Sequence, residues 1–219
     1  MNKTALHQLL IAVAGVFLST LVVNLFFGNF LFLFPLPARA LLMIAVYWLI
    51  GLVPLIMMRK SGLSLSALLT EGKNPTPQII TGLLLGLAMS AAFTLIPHML
   101  GLGDWVDNGH HYRKLWQFLF EFAYCIFAVG AVEELVFRGY LFIQLKELTK
   151  SHRKSVLISS ALFGLFHFFA GNIVQMICTT LLGLFFCACR DKIKSCTLLS
   201  LIVAHGVYDA LITVWASVL

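Results

Sequence analysis

Residues 115–138 read LWQFLFEFAYCIFAVGAVEELVFR. The run is longer than the roughly 20 apolar residues a bilayer core asks of a helix, and it closes on Glu133, Glu134 and Arg138. An ionisable group at membrane depth costs at least about 2.5–3.5 kcal/mol on insertion scales, so a span that closes on three of them has a use for them. Working outward, His167 sits among Phe163, Phe166, Phe168 and Phe169, and His205 with Asp209 sits in the last apolar run. Two acids, two imidazoles and a further carboxylate ride on three apolar segments. That is the pattern of a hydrolytic site assembled inside a bilayer.

The rest of the chain agrees with a membrane setting. It has 219 residues, of which 60% are hydrophobic and 11% charged, and its mean hydropathy is +0.96. A soluble domain carries about 25% charged residues, so the expected fold is all-α: a polytopic membrane helix bundle forming a single transmembrane domain, 1–219. The formal charge of +6 lies in short loops between apolar runs, and no basic stripe with interleaved aromatics follows a phosphate backbone, so no nucleic acid partner is expected. Cys125, Cys178, Cys187, Cys189 and Cys196 form no CxxC pair and no zinc spacing; they read as small buried hydrophobes, with Cys196, beside a basic loop, open to reversible acylation.

Seven spans are expected: 6–27, 36–58, 79–100, 115–137, 156–169, 173–189 and 197–219. The first is too long for the apolar core of a signal peptide and reads as a retained helix. Residues 139–150 either continue the fourth span or form an amphipathic interfacial helix, a candidate eighth element. The fifth span is short and ends in a tight turn, Ala170-Gly171-Asn172. Pro35, Pro37, Asn74-Pro75-Thr76-Pro77 and Gly101-Leu102-Gly103-Asp104 mark other connections, and Gly82 with Gly86 makes a GxxxG read as close helix packing.

Alternate loops divide the basic residues unevenly. One side receives Lys3, Arg59, Lys60, Lys73, Arg138, Lys146, Lys150, Arg153, Lys154, Arg190, Lys192 and Lys194; the other receives Arg39, Arg113 and Lys114. The positive-inside bias places the N-terminus in the cytoplasm. Glu133 lies roughly 20 Å of helix from Lys146, His167 roughly 20 Å from Lys154 and His205 roughly 16 Å from Lys194 at the α-helical rise. The three clusters therefore reach similar depth, in a site opening toward the cytoplasm.

Within each cluster the spacing is helical. Glu134 and Arg138 are four apart, as are Phe163 and His167, and His205 and Asp209, so each pair shares a helix face. Glu133 lies about 100° around the helix from Glu134. One acid can pair with Arg138 while the other faces a cavity as a general base. Each piece has a bland reading: a neutralised Glu–Arg pair, a core histidine bonded to a carbonyl, a helix-stabilising His–Asp pair. Their coincidence in depth favours a shared site. His7, His98, His110, His111 and His152 read as loop or interface residues.

The motifs EExxxR (Glu133, Glu134, Arg138), FxxxH (Phe163, His167) and HxxxB (His205, Asp209, B being Asn or Asp) stand in order on successive hydrophobic segments. Residues 129–219 resemble the CPBP family of intramembrane proteases, which includes CAAX prenyl endopeptidases and bacteriocin-processing enzymes and is also called the Abi family. The resemblance implies a glutamate-type endopeptidase with no obligatory metal or other cofactor. By analogy, Glu133 and His167 activate water, His205 and Asp209 hold the oxyanion, and Glu134 and Arg138 order the site. The implied partners are the lipid bilayer and a peptide or protein substrate: a bacteriocin, a pheromone precursor or a lipidated protein. The small size and short loops look more like bacterial members, which implies a multi-pass protein of a bacterial cell membrane.

One position departs from the family's habit. Its prenyl endopeptidases typically carry Asn where this chain has Asp209. An ionised Asp209 repels an oxyanion, so it is either protonated or serves to orient and charge His205. Three rival readings exist. Glu133, His167 and His205 can be drawn as a zinc site with an open position, although HExxH is absent. A scaffold or immunity protein of the same fold needs no water-activating pair, and a transporter uses a Glu/His pair as a proton relay.

Overall fold

A computed structural model of the chain describes residues 3–71, 74–106, 109–169 and 173–219. Lys73 and the turn Ala170-Gly171-Asn172 lie outside the described residues. In a bilayer the peptide groups of an apolar run must satisfy one another, and every regular element among the described residues is helical. The helices are α1 (Lys3–Asn29), α2 (Leu36–Lys60), the short α3 (Leu65–Thr70), α4 (Pro75–Met99), α5 (Leu115–Thr149), α6 (His152–Phe166), α7 (Ile173–Lys192) and α8 (Leu198–Val218).

Six of these, α1, α2, α4, α5, α7 and α8, are long and apolar enough to cross a membrane. The expected fifth span is α6, a helix of 15 residues. At 1.5 Å per residue it covers roughly 22 Å, short of a hydrocarbon core of about 30 Å. It closes in a 3₁₀ turn, His167–Phe169. Residues 139–150 continue the fourth span for the most part, since α5 runs unbroken for 35 residues to Thr149.

Two of the long helices are irregular where they meet the site. α5 is π-helical over Cys125–Gly130 and again over Leu135–Leu141, with one α-helical stretch, Ala131–Glu134, between them. Such π turns interrupt the i→i+4 ladder and frequently mark functional sites. A backbone carbonyl in each is met by a donor from another helix: Trp48 Nε1 donates to Phe127 O at 3.0 Å, and Arg190 Nη1 to Arg138 O at 2.9 Å. α2 is broken at Trp48 into Leu36–Tyr47 and Leu49–Lys60, with Pro54 inside the second half.

α8 is the central helix. Of its apolar window 61% is buried, against 22–33% for the other five spans. It packs on α4 through Gly82 and Gly86, where an added Cβ would lie 2.6 Å from Ser200 O and 2.8 Å from Ala204 O. It packs on α5 through Gly206, where a Cβ would lie 2.5 Å from Ile126 Cα. The missing side chains let the backbones approach. α6 packs along α7. Residues of α1, α2, α5 and α6 share a core that includes Val16, Ile50, Val132, Phe137 and Phe163.

Candidate active site

The acids stand where α5 is locally α-helical between its two π stretches, and both are buried: Glu133 is 2% exposed and Glu134 fully enclosed. Their side chains diverge. Glu134 Oε1 accepts from Arg138 Nη1 at 2.9 Å and from His205 Nδ1 at 2.8 Å. One oxygen thereby ties the i, i+4 cation of its own helix to the imidazole of α8. Arg138 is 1% exposed, and its guanidinium carbon lies 4.0 Å from the Phe163 ring centroid and 5.3 Å from that of Phe186. A desolvated cation over a ring gains about 2 kcal/mol, so α6 and α7 share in holding the charge.

Glu133 faces the other way. Tyr47 of α2 donates a hydrogen bond to its Oε1. Its Oε2 is buried with no hydrogen-bond partner, 3.7 Å from His205 Nε2 and 3.9 Å from His167 Nε2. Those gaps exceed a direct hydrogen bond and suit one bridging water.

His167 caps the C-terminus of α6, and its Nδ1 lies 2.9 Å from Phe163 O. A carbonyl only accepts, so Nδ1 carries the proton there and Nε2 faces Glu133. The ring stands edge-on to Phe163 and Phe166, with centroids 4.8 and 5.2 Å away. His205 is gripped from both sides: Nδ1 on Glu134, and Nε2 3.3 Å from Asp209 Oδ2. His167 and Asp209, at 17% and 28% side-chain exposure, form the open edge of a group whose other members are enclosed. All six residues singled out from the sequence therefore converge through α5, α6 and α8. Among the described residues no group of three or more His, Cys, Asp or Glu side chains has the arrangement to hold a metal ion.

Several participants were not legible in the sequence. Tyr47 is a lone tyrosine in an apolar span, and its signal was position: tyrosines favour the membrane interfaces, and a phenol buried deeper needs a partner. Arg190 reads as a loop cation, yet it reaches both Arg138 O and Glu71. A third buried carboxylate, Glu121, accepts from Thr213 at 3.0 Å and from Tyr112 at 3.0 Å, tying the segment before α5 to the end of α8. Burial, and then the Glu121 charge, push the Tyr112 phenol well up. Cys196 is buried, which pushes its thiol up to about 12; that disfavours the thiolate needed for acylation.

Residues 115–211 match the family model described as Rce1-like, a type II CAAX prenyl endopeptidase. This segment belongs to the CPBP family. The Rce1-like segment begins where α5 begins and contains Glu133, Glu134, Arg138, His167, His205 and Asp209; Tyr47 lies outside it. No curated protein and no solved structure matches the chain. The matched segment and the six long apolar helices make this a multi-pass membrane protein.

Proposed function

We propose that the protein is a glutamate-type intramembrane endopeptidase that hydrolyses a peptide bond of a membrane-associated peptide or protein. The observation that carries the proposal is Glu133 Oε2: a buried carboxylate oxygen without a partner, facing two imidazole nitrogens at 3.7 and 3.9 Å.

A water spanning Glu133 Oε2 and His167 Nε2 donates one proton to each acceptor and keeps a lone pair for attack. Its oxygen adds to the peptide carbonyl carbon as Glu133 takes the proton. The carbonyl oxygen becomes an oxyanion, and the C–N bond then breaks as that proton passes to the departing nitrogen. The products are a carboxylic acid and an amine, and the acid's proton then passes to the amine. His205 Nε2 is the donor nearest this centre. Removing an oxyanion donor costs about 2.7–4 kcal/mol in other hydrolases. With Nε2 3.3 Å from Asp209, Asp209 orients His205 by accepting from it. Glu134 and Arg138 hold His205 from behind and touch no substrate.

The basic loops support a cytoplasmic opening, and the likeness of the small size and short loops to bacterial members of the family supports a bacterial setting. A bacteriocin precursor, a pheromone precursor and a lipidated protein all suit such a site. Purified protein in detergent, given a panel of labelled membrane-anchored peptides, tests the reading and begins to define the substrate. The wild type cleaves, and Glu133→Ala and His167→Ala do not. Retention of full cellular effect by Glu133→Ala would establish a scaffold or immunity protein instead.

A further inference from the structure

Glutamate carries three rotatable bonds and two chemically equivalent oxygens. A base that must present one particular oxygen to two imidazoles therefore needs the other oxygen held. Nothing in the spacing of α5 does this, because Arg138 and His205 are both spent on Glu134. The hold comes from outside the family segment. We propose that Tyr47 is a positioning residue for Glu133, an inference that rests on the protease reading above.

Three observations converge on it. The Tyr47 hydroxyl donates to Glu133 Oε1, leaving Oε2 as the oxygen turned to His167 and His205. A phenol donating to a carboxylate makes a charge-assisted bond, roughly twice as strong as a neutral one. The Tyr47 ring is itself braced, edge-on to Tyr124 of α5 with centroids 5.9 Å apart and planes at 79°. The next residue, Trp48, is fixed at the break of α2 by its bond to Phe127 O in the first π stretch. Two successive residues at the interruption of α2 thus grip α5 just before and within the one stretch that bears the acids. The break in α2 gives both side chains their reach. Tyr47 bonds Glu133 and packs on Tyr124. Its effect is exerted through Glu133 alone.

The test compares wild type, Tyr47→Phe and Glu133→Gln on the best-cleaved peptide of a labelled membrane-anchored panel, with kcat, KM and Tm measured for each in the same detergent. Phe keeps the ring against Tyr124 and removes only the hydroxyl. Loss of one charge-assisted hydrogen bond predicts a kcat about 10- to 100-fold lower, with KM and Tm at the wild-type values. A Tyr47→Phe enzyme with wild-type kcat overturns the positioning role, and so does a loss of rate that appears only with a lowered Tm or a raised KM. Glu133→Gln separates this failure from failure of the underlying reading. An inactive Glu133→Gln leaves Glu133 as the base whatever Tyr47 does, and an active one removes the base itself.

Discussion

His205 Nδ1 and Glu134 Oε1 lie 2.8 Å apart, joining the buried centre of α8 to α5 through an oxygen that also takes Arg138 Nη1. The bond orders catalysis and stability together. It sets which imidazole nitrogen faces Glu133 and Asp209, and it supplies the counter-charge to a guanidinium that is 1% exposed. Removal of one partner from a buried pair costs about 3–5 kcal/mol because the other charge is left uncompensated. Glu134→Ala is therefore expected to lower stability by about that much and to abolish cleavage, whereas Glu134→Gln, which keeps an acceptor oxygen, retains more of both. Unfolding in a denaturant series in detergent measures this. Equal unfolding midpoints for Glu134→Ala and wild type would contradict it.

Asp209 stands where prenyl endopeptidases of the resembled family typically carry Asn, and its Oδ2 lies 3.3 Å from His205 Nε2. An asparagine oxygen can accept from the same nitrogen while its amide donates to an oxyanion. Asp209→Asn is expected to keep kcat within roughly threefold of wild type, and Asp209→Ala to lose about 10- to 100-fold, a missing hydrogen bond to a charged group. An Asn variant as slow as the Ala variant would mean that the negative charge itself is required.

Arg190 bonds both Glu71 and the backbone oxygen of Arg138. The Glu71 pair is partly exposed, at 22% and 33%, and such pairs contribute about 0–1 kcal/mol. The bond to a π-helix carbonyl is the larger contribution, about 1.5–3 kcal/mol for a charged donor. Arg190→Ala should therefore lower Tm clearly more than Glu71→Gln does. Equal losses would assign the stabilisation to the ion pair.

How much of this was open to a reader of the sequence depends on the range of each interaction. The helices were, because apolar runs of bilayer length have one way to satisfy their peptide groups. The convergence of Glu133, His167 and His205 was in part, since helical rise counted from the loops allows a common depth and the spacings give the helix faces. Gly82 and Gly86 announce a helix contact by their own spacing. Gly206 does not, because its partner, Ile126, sits in a π turn that no local pattern foretells. The truncation of α6 after Phe166 also escaped, since Phe168 and Phe169 continue the apolar run without continuing the helix. Tyr47, Arg190 and Glu121 act across tertiary contacts, and single polar residues carry no periodicity to betray them.

The close approach at Gly206 gives a further expectation. A Cβ there would stand 2.5 Å from Ile126 Cα and 2.6 Å from Cys125 O, backbone that cannot rotate away. Overpacking of this kind costs about 1–3 kcal/mol, and next to His205 it also displaces the imidazole. Gly206→Val should lower both Tm and kcat, while Gly28→Val, with no atom within 4 Å of its Cβ position, should leave kcat unchanged. Equal activity of the two variants would contradict the packing described for α5 and α8.

The most direct test of the central claim is cleavage of labelled membrane-anchored peptides by wild type, Glu133→Ala and His167→Ala side by side, each with and without chelator. The account predicts cleavage by wild type alone, unchanged by chelator. Cleavage lost with chelator and restored by zinc would make the centre a metalloprotease, and a Glu133→Ala enzyme that still cuts would remove the glutamate mechanism.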